Sequence, residues 1–104
     1  MAVYFQSHTD GFSGNVVAAV AGKRIRVRRL IVSTSVNTGF TLRQDVGGPD
    51  QADVAPTLQG RTGGTAIDLR FDREAPQTAP GKALGYFTDG IGAYGVWIEY
   101  ELVD

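Results

Sequence analysis

The feature that most constrains this chain is a hydrophobic period of two that recurs along its length. In the segment 65–72, Ile67, Leu69 and Phe71 alternate with Asp and Arg residues. Successive side chains of a strand point to opposite faces, so this alternation is typical of a half-exposed β-strand. Val, Ile and Thr supply 25 of the 104 residues and Gly another 14, a composition that favours strands joined by turns. No segment shows the period of an amphipathic helix.

The pattern predicts six to eight strands bounded by Gly- and Pro-containing turns. The clearest segments are 15–21, 23–36, 40–43, 65–72, 82–88 and 92–103, with a short strand around 54–58 inside a long loop. Asn37-Thr38-Gly39 is a turn signal, so the strands on either side of it are predicted to form a hairpin. Short strands at this spacing predict an all-β fold, an antiparallel β-sandwich or jelly roll.

The chain is predicted to be one domain, residues 15–104, preceded by an N-terminal segment. A chain of 104 residues is too short for two independent cores. Residues 1–14 show no clear period, and we interpret them as an extended N-terminal arm or a short edge strand. Residues 15–21 (NVVAAVA) are apolar on both faces, which predicts a strand covered on both sides, by its own core or by another subunit.

The most regular strand, residues 23–36, changes its parity partway along. Ile25 and Val27 alternate with arginines, but Leu30 and Val32 lie on the face that carried arginine. A β-bulge at the paired arginines that follow Val27 would explain the change. A second half covered on both faces would also explain it, and the continuous apolar run favours this second interpretation.

Arg24, Arg26, Arg28 and Arg29 form the one concentrated charge feature. Arg24, Arg26 and Arg28 repeat on one strand face at steps of about 7 Å. They could form a solvated face paired with carboxylates, a site for an acidic protein, or a site for nucleic acid. A net charge of −1 disfavours a general nucleic-acid binder. The carboxylates available for pairing are Asp68, Asp72, Glu99 and Glu101.

The residue types that carry most catalytic and metal chemistry are scarce. The chain has no Cys and one His, which excludes a thiol nucleophile and a multi-histidine metal centre. Asp45, Asp50 and Asp53 crowd one loop and could bind calcium, but the 12-residue calcium-loop pattern with its final Glu is missing. We therefore predict a solvated loop, no metal, no cofactor and no catalytic residue.

No apolar run reaches the length of about 20 residues that crosses a bilayer, and residues 1–14 lack the features of a signal peptide. We expect a soluble protein that is made in the cytoplasm and binds no membrane. Trp97 has the opposite parity to the main apolar face of the last strand. It could be an interface residue, because tryptophan is enriched at interface hot spots, or it could close a second side of the core.

The order of segments is similar to that of small structural proteins of tailed-bacteriophage virions. The resemblance covers residues 16–102 and runs through KRIRVRRLIVSTS, TGFTLRQ, a Gly-rich loop, IDLRFD, TAPGKAL and GVWIEYEL. These proteins are capsid decoration (cement) proteins and related jelly-roll modules. The resemblance implies a non-enzymatic β-sandwich, often trimeric, on the outside of a capsid. There it would clamp neighbouring major capsid subunits.

From this resemblance we expect a protein that is made in the host cytoplasm and located on the capsid surface. Its partners would be the major capsid protein and further copies of itself, with no nucleic acid. The residues expected at these interfaces are Tyr4, Phe5, Phe12, Val17, Arg24, Arg26, Arg28, Leu30, Val32 and Trp97. Deleting residues 1–12 is expected to abolish capsid binding and to leave the fold intact.

An alternative is a phage tail or fibre module that binds a carbohydrate or a receptor. It would present aromatic side chains grouped in a concave site, for which Tyr86, Tyr94 and Trp97 are the candidates.

Overall fold

The computed structural model describes residues 1–35, 37–60, 64–89 and 92–104, and these contain nine strands and no helix. Val36, at the end of a predicted strand, lies outside the described residues. The strands are β1 (Ala2–His8), β2 (Phe12–Val17), β3 (Arg24–Thr34), β4 (Thr38–Gln44), β5 (Ala52–Asp53), β6 (Leu58–Gly60), β7 (Thr65–Arg70), β8 (Leu84–Thr88) and β9 (Tyr94–Val103).

The strands form two antiparallel sheets. One sheet has four strands in the order β1-β9-β3-β7. The other has the order β2-β8-β4-β5, and β6 also pairs with β4. The predicted all-β, antiparallel β-sandwich is therefore confirmed.

The core lies between the sheets and is built from alternate residues of the longer strands. Leu84, Tyr86 and Ile98 are fully buried there, and Tyr94 and Val96 nearly so, as the alternation of these segments predicts. The other buried apolar side chains are Val17, Ile25, Val27, Leu30, Val32, Phe40 and Leu42. The inward residues predicted in β7 are half-buried, while its charged residues are exposed.

The N-terminal residues form edge strands, the second of the two predicted alternatives. β1 pairs with β9 from Ala2 opposite Tyr100 to His8 opposite Tyr94. β2 pairs with β8 in the other sheet. β2 also runs across the boundary expected between residues 14 and 15. The first 17 residues therefore contribute one strand to each sheet rather than extending away from the sandwich.

The predicted strand over residues 15–21 is wrong in its second half. β2 ends at Val17, and Ala18, Ala19 and Val20 are exposed. The reason is the length of the neighbouring strand, because Val17 already pairs with Leu84, the first residue of β8. Among the residues that the structure describes, no strand pairs with residues 18–21, and all four are exposed.

The change of parity in β3 is a β-bulge. The pairing of β3 with β9 shifts register between Val27 and Arg29. The extra residue brings Leu30 and Val32 onto the core face, where each is 2% exposed. Ile31 takes the outer face. The favoured interpretation, a second half covered on both faces, is therefore wrong. The change of parity comes from one inserted residue, after which Leu30 and Val32 face the core and Ile31 faces outward.

The hairpin predicted around Asn37-Thr38-Gly39 is also wrong. β3 and β4 belong to different sheets, so the chain between them crosses the sandwich, and Thr38 begins β4. Both strands carry a strong apolar face, and from opposite layers the two faces are buried in the same core. The short strand expected around 54–58 is wrong in its position, because residues 54–57 form no strand, and the short strands β5 and β6 lie on either side of them.

Candidate interaction surface

The outer face of the four-stranded sheet carries a row of apolar side chains. Phe5 lies opposite Trp97, and Trp97 lies opposite Ile31 on the next strand. We call these three residues the aromatic row. Phe5 is 67% exposed and Trp97 is 37% exposed. Their rings stack with centroids 5.6 Å apart, so the two strands together present one aromatic surface to solvent.

The orientation of Trp97 is held by a neighbour on its own strand face. Its indole Nε1 donates a hydrogen bond of 2.9 Å to Glu99 Oε2. Of the two open interpretations, a second side of the core does not apply, because Trp97 faces outward. The fixed ring fits the position expected for an interface residue.

A row of small side chains lies beside the aromatic row. Ser7, Gly95, Ser33 and Ala66 face one another across the four strands. A Cβ atom at Gly95 would meet no atom within 4 Å. The surface is therefore lower at Gly95 than at the neighbouring Trp97 ring. The result is a shallow depression of about 280 Å³ between the two rows. Sequence reasoning missed this small-residue row, because it becomes visible only when the cross-strand register is known.

On the other side of the aromatic row lies a row of paired charges. Arg29 Nη2 is 2.8 Å from Asp68 Oδ2, and Arg29 Nη1 is 3.5 Å from Glu99 Oε2. The hydrogen bond from Arg29 lowers the pKa of the Asp68 carboxyl below its ordinary value. We call Arg29, Glu99 and Asp68 the charge row; by register Arg29 lies opposite Glu99 and Arg70, and Asp68 reaches Arg29 from its position opposite Ile31.

The predicted arginine face is paired as well. Arg28 Nη2 lies 2.7 Å from Glu101 Oε1, and Arg26 Nη1 lies 3.9 Å from the same oxygen. Arg28 also donates to the backbone oxygen of Asp72 at 2.6 Å, and Arg24 donates to the backbone oxygen of Thr78 at 3.5 Å. Arg26 and Arg28 therefore have the carboxylate pairing expected for the first of the three alternatives, and binding of an acidic protein or of nucleic acid stays a prediction.

Three of the predicted interface residues lie in the core. Val17, Leu30 and Val32 are buried between the sheets and offer no surface to a partner. Their place among the interface residues is therefore corrected. Tyr4 and Phe12 are half-buried, and both pack against the core rather than standing free. Phe5 and Trp97 are the predicted apolar interface residues that reach the surface.

Tyr4 and Phe12 belong to an aromatic cluster around His8 at one end of the sandwich. His8 Nε2 is hydrogen-bonded to Tyr86 Oη at 2.6 Å, and Tyr86 Oη also contacts Tyr4 Oη at 2.9 Å. The His8 ring stacks on Tyr94, with centroids 4.9 Å apart. Burial lowers the pKa of His8 and raises the pKa of Tyr86 and Tyr94. The cluster joins the two sheets, because Tyr4 and His8 lie on β1 and Tyr86 lies on β8.

The aromatic group proposed for carbohydrate binding does not assemble. Tyr86 and Tyr94 are buried, and Tyr94 Oη donates to the backbone oxygen of Asp10 at 2.8 Å. Trp97 lies on the opposite face of β9 from Tyr94. This correction follows from the alternation of β9, which places residues of opposite parity on opposite faces.

The acidic loop is held together by ion pairs and backbone bonds. Asp50 lies 2.5 Å from Lys82 Nζ, and Asp53 lies 2.9 Å from Arg43 Nε. Asp45 accepts a hydrogen bond from the backbone nitrogen of Asp50 at 2.9 Å. Within the described ranges, no group of three or more His, Cys, Asp or Glu side chains could hold a metal ion.

No protein-family model, curated protein or solved structure matches this chain. The part of the chain that the structure describes holds no helix long and apolar enough to cross a membrane.

Proposed function

We propose that this chain is a non-enzymatic structural protein of a tailed-bacteriophage virion, a capsid decoration protein. It binds the outer surface of the capsid and clamps neighbouring major capsid subunits. The observation that carries the proposal is the exposed aromatic row. A stacked Phe5–Trp97 pair on a flat sheet face, next to small residues, has the composition of an interface centre.

The mechanism is burial of surface. A standard protein interface buries about 800 Å² on each partner, and the free chain exposes 5650 Å². A contact of this size would cover about one seventh of the surface of the free chain. Each apolar Å² removed from water contributes about 25 cal/mol before the costs of association.

Burying this face in a contact costs less than burying unpaired charges, because the charges of the charge row are paired with one another. Asp68 and Glu99 already share Arg29, and Glu101 is paired with Arg28. A partner that covers the aromatic row meets these paired charges and, opposite Arg29, the exposed side chain of Arg70. The charge row then acts as a polar rim around an apolar centre.

The β-sandwich agrees with the fold that the resemblance to virion modules implies, and the resemblance is the source of the capsid as partner. The protein would be made in the host cytoplasm and assemble onto the finished shell. Many symmetric copies on one shell would each make this contact, so their total stabilisation of the shell would exceed that of a single contact.

The test uses capsids purified without the protein, from the phage whose genome encodes it. We expect the double variant Phe5→Ser, Trp97→Ser to lower capsid affinity at least about tenfold in co-sedimentation. The matched control is Val20→Ser, another exposed apolar residue, which lies in the loop after β2. It should bind as the unmodified chain does.

Full-strength binding by the double variant would remove the aromatic row from the mechanism. An unmodified chain that does not bind capsids would overturn the proposal. Binding to a glycan array in its place would favour a tail or fibre module.

A further inference from the structure

β1 is an edge strand without the features that normally prevent edge-to-edge pairing. Proteins protect sheet edges with charged residues, bulges or very short strands. Among the described residues, the other terminal strands have such protection. β7 carries Asp68 and Arg70, β2 has an irregularity between Asn15 and Val17, and β5 has two residues. β1 (AVYFQSH) is seven residues long and contains no Asp, Glu, Lys or Arg.

We propose that β1 pairs antiparallel with β1 of a second copy, about a twofold axis at Phe5. The two four-stranded sheets then join into one sheet of eight strands. Phe5 is the midpoint of β1, so this register pairs the whole strand and leaves no overhang. It places Phe5 opposite Phe5, Ala2 opposite His8, Val3 opposite Ser7, and Tyr4 opposite Gln6 of the second copy.

The side chains on the outer face fit this arrangement. A twofold axis perpendicular to the sheet keeps the outer faces of both copies on the same side. The aromatic row of one copy then continues directly into that of the other, with the two Phe5 rings adjacent at the centre. Directly opposed aromatic pairs stabilise antiparallel strands. Phe5, the most exposed side chain of the aromatic row, becomes its most covered one.

The charges are also compatible with this register. Val3 lies next to Glu99 at the end of the charge row, and Ser7 lies next to Gly95 in the small-residue row. Because Val3 faces Ser7 of the second copy, each charge row continues into an uncharged row. No like charges come to lie opposite each other, and such pairs would destabilise a sheet.

The inference goes beyond the proposed function, because it names a contact between copies in the absence of a capsid. It gives an assembly with a twofold axis, whereas the resemblance to decoration proteins implies a trimer. The mass in solution therefore separates the two.

The first experiment uses the absence of Cys from the sequence. Val3→Cys and Ser7→Cys variants are mixed and treated with a short bifunctional thiol reagent. Residues directly opposed on antiparallel strands have Cβ atoms about 4.5–5.5 Å apart, so the mixture should cross-link into a covalent dimer. Val3→Cys mixed with Ala66→Cys is the matched control, since Ala66 lies on the same sheet face at the far edge. Equal cross-linking in both mixtures, or none in either, would overturn the register.

The second experiment is sedimentation equilibrium of the full chain. We expect a species of twice 11.1 kDa. Phe5→Lys should weaken the dimer at least about tenfold, and Ala66→Lys should leave it unchanged. A monomer or a trimer from the unmodified chain would overturn the β1 pairing, and a trimer that binds capsids would leave the proposed function standing. A dimer that binds no capsid would support the pairing and overturn the proposed function alone.

Discussion

At the scale of single residues, His8 is the side chain whose charge is most sensitive to mild acid. It is the one histidine of the sequence, and histidine titrates between about pH 5 and 8. Its ring is packed against Tyr94, Phe12 and Tyr86, and its Nε2 is hydrogen-bonded to the Tyr86 hydroxyl. Burial lowers its pKa below 6.5 in the folded chain. The folded state therefore resists taking up the proton that the unfolded state accepts.

This linkage predicts that stability falls as the pH falls from 7 to 5. Below about pH 6.5 the unfolded chain binds a proton at His8 more readily than the folded chain does, so protonation favours unfolding. We expect the urea midpoint of the unmodified chain to be lower at pH 5 than at pH 7. In His8→Phe, which keeps an aromatic ring in the cluster, this difference should vanish. A His8→Phe variant with the same pH dependence as the unmodified chain would show that another group is responsible.

At the scale of strands, two glycines in extended segments differ in what surrounds them. Gly85 in β8 is buried, and a Cβ atom there would lie 2.1 Å from the backbone oxygen of Gly14 on β2. Backbone of a paired strand cannot move aside as a flexible side chain can. Gly95 in β9 has open space in the same position. A side chain at position 85 would therefore clash with the backbone of β2, whereas a side chain at position 95 would project into open space.

We predict opposite outcomes for the same substitution at these positions. Gly85→Ala should lower the free energy of unfolding by about 3 kcal/mol or more, because it forces β2 away from β8. Gly95→Ala should change it by less than about 0.5 kcal/mol. Urea unfolding followed by circular dichroism measures both. Equal effects of the two substitutions would contradict the close approach of β2 to β8.

The strands themselves could be predicted from the sequence, but their partners could not. The alternation of Ile67 with Asp68, or of Val96 with Trp97, is a local pattern and fixes which face each residue takes. The bulge before Leu30 also left a local trace as a change of parity. The sheet to which a strand belongs leaves none, so the connection between β3 and β4 resembled a hairpin turn.

The same limit applies to the candidate surface. Phe5 and Trp97 could be named as interface residues one at a time, from their apolar character and position in the sequence. Their contact depends on the register between strands 92 residues apart, as does the small-residue row at Gly95. The burial of Val17 could not be predicted from the local sequence either, since the same apolar pattern is expected for a strand that packs on its own core and for a strand that packs on a partner.

At the scale of the whole molecule, the first 17 residues hold the two layers together. β1 is the edge strand of one sheet and pairs with β9, and β2 is the edge strand of the other sheet and pairs with β8. Between them, Tyr4 and His8 bond to the Tyr86 hydroxyl from the opposite layer. The expectation that residues 1–12 could be removed without loss of the fold conflicts with this arrangement.

The last prediction therefore concerns that deletion. Removing residues 1–12 deletes all of β1, unpairs β9 along one edge and leaves the Tyr86 hydroxyl without both of its partners. We expect the shortened chain to lose its cooperative urea transition, or to unfold with a smaller slope, since it buries less surface. The matched control is Val3→Thr, Phe5→Thr, which keeps β1 and removes its exposed apolar side chains. It should unfold cooperatively within about 1 kcal/mol of the unmodified chain. A deleted chain with an unchanged midpoint and slope would show that β1 is dispensable for the sandwich, and that these residues serve binding alone.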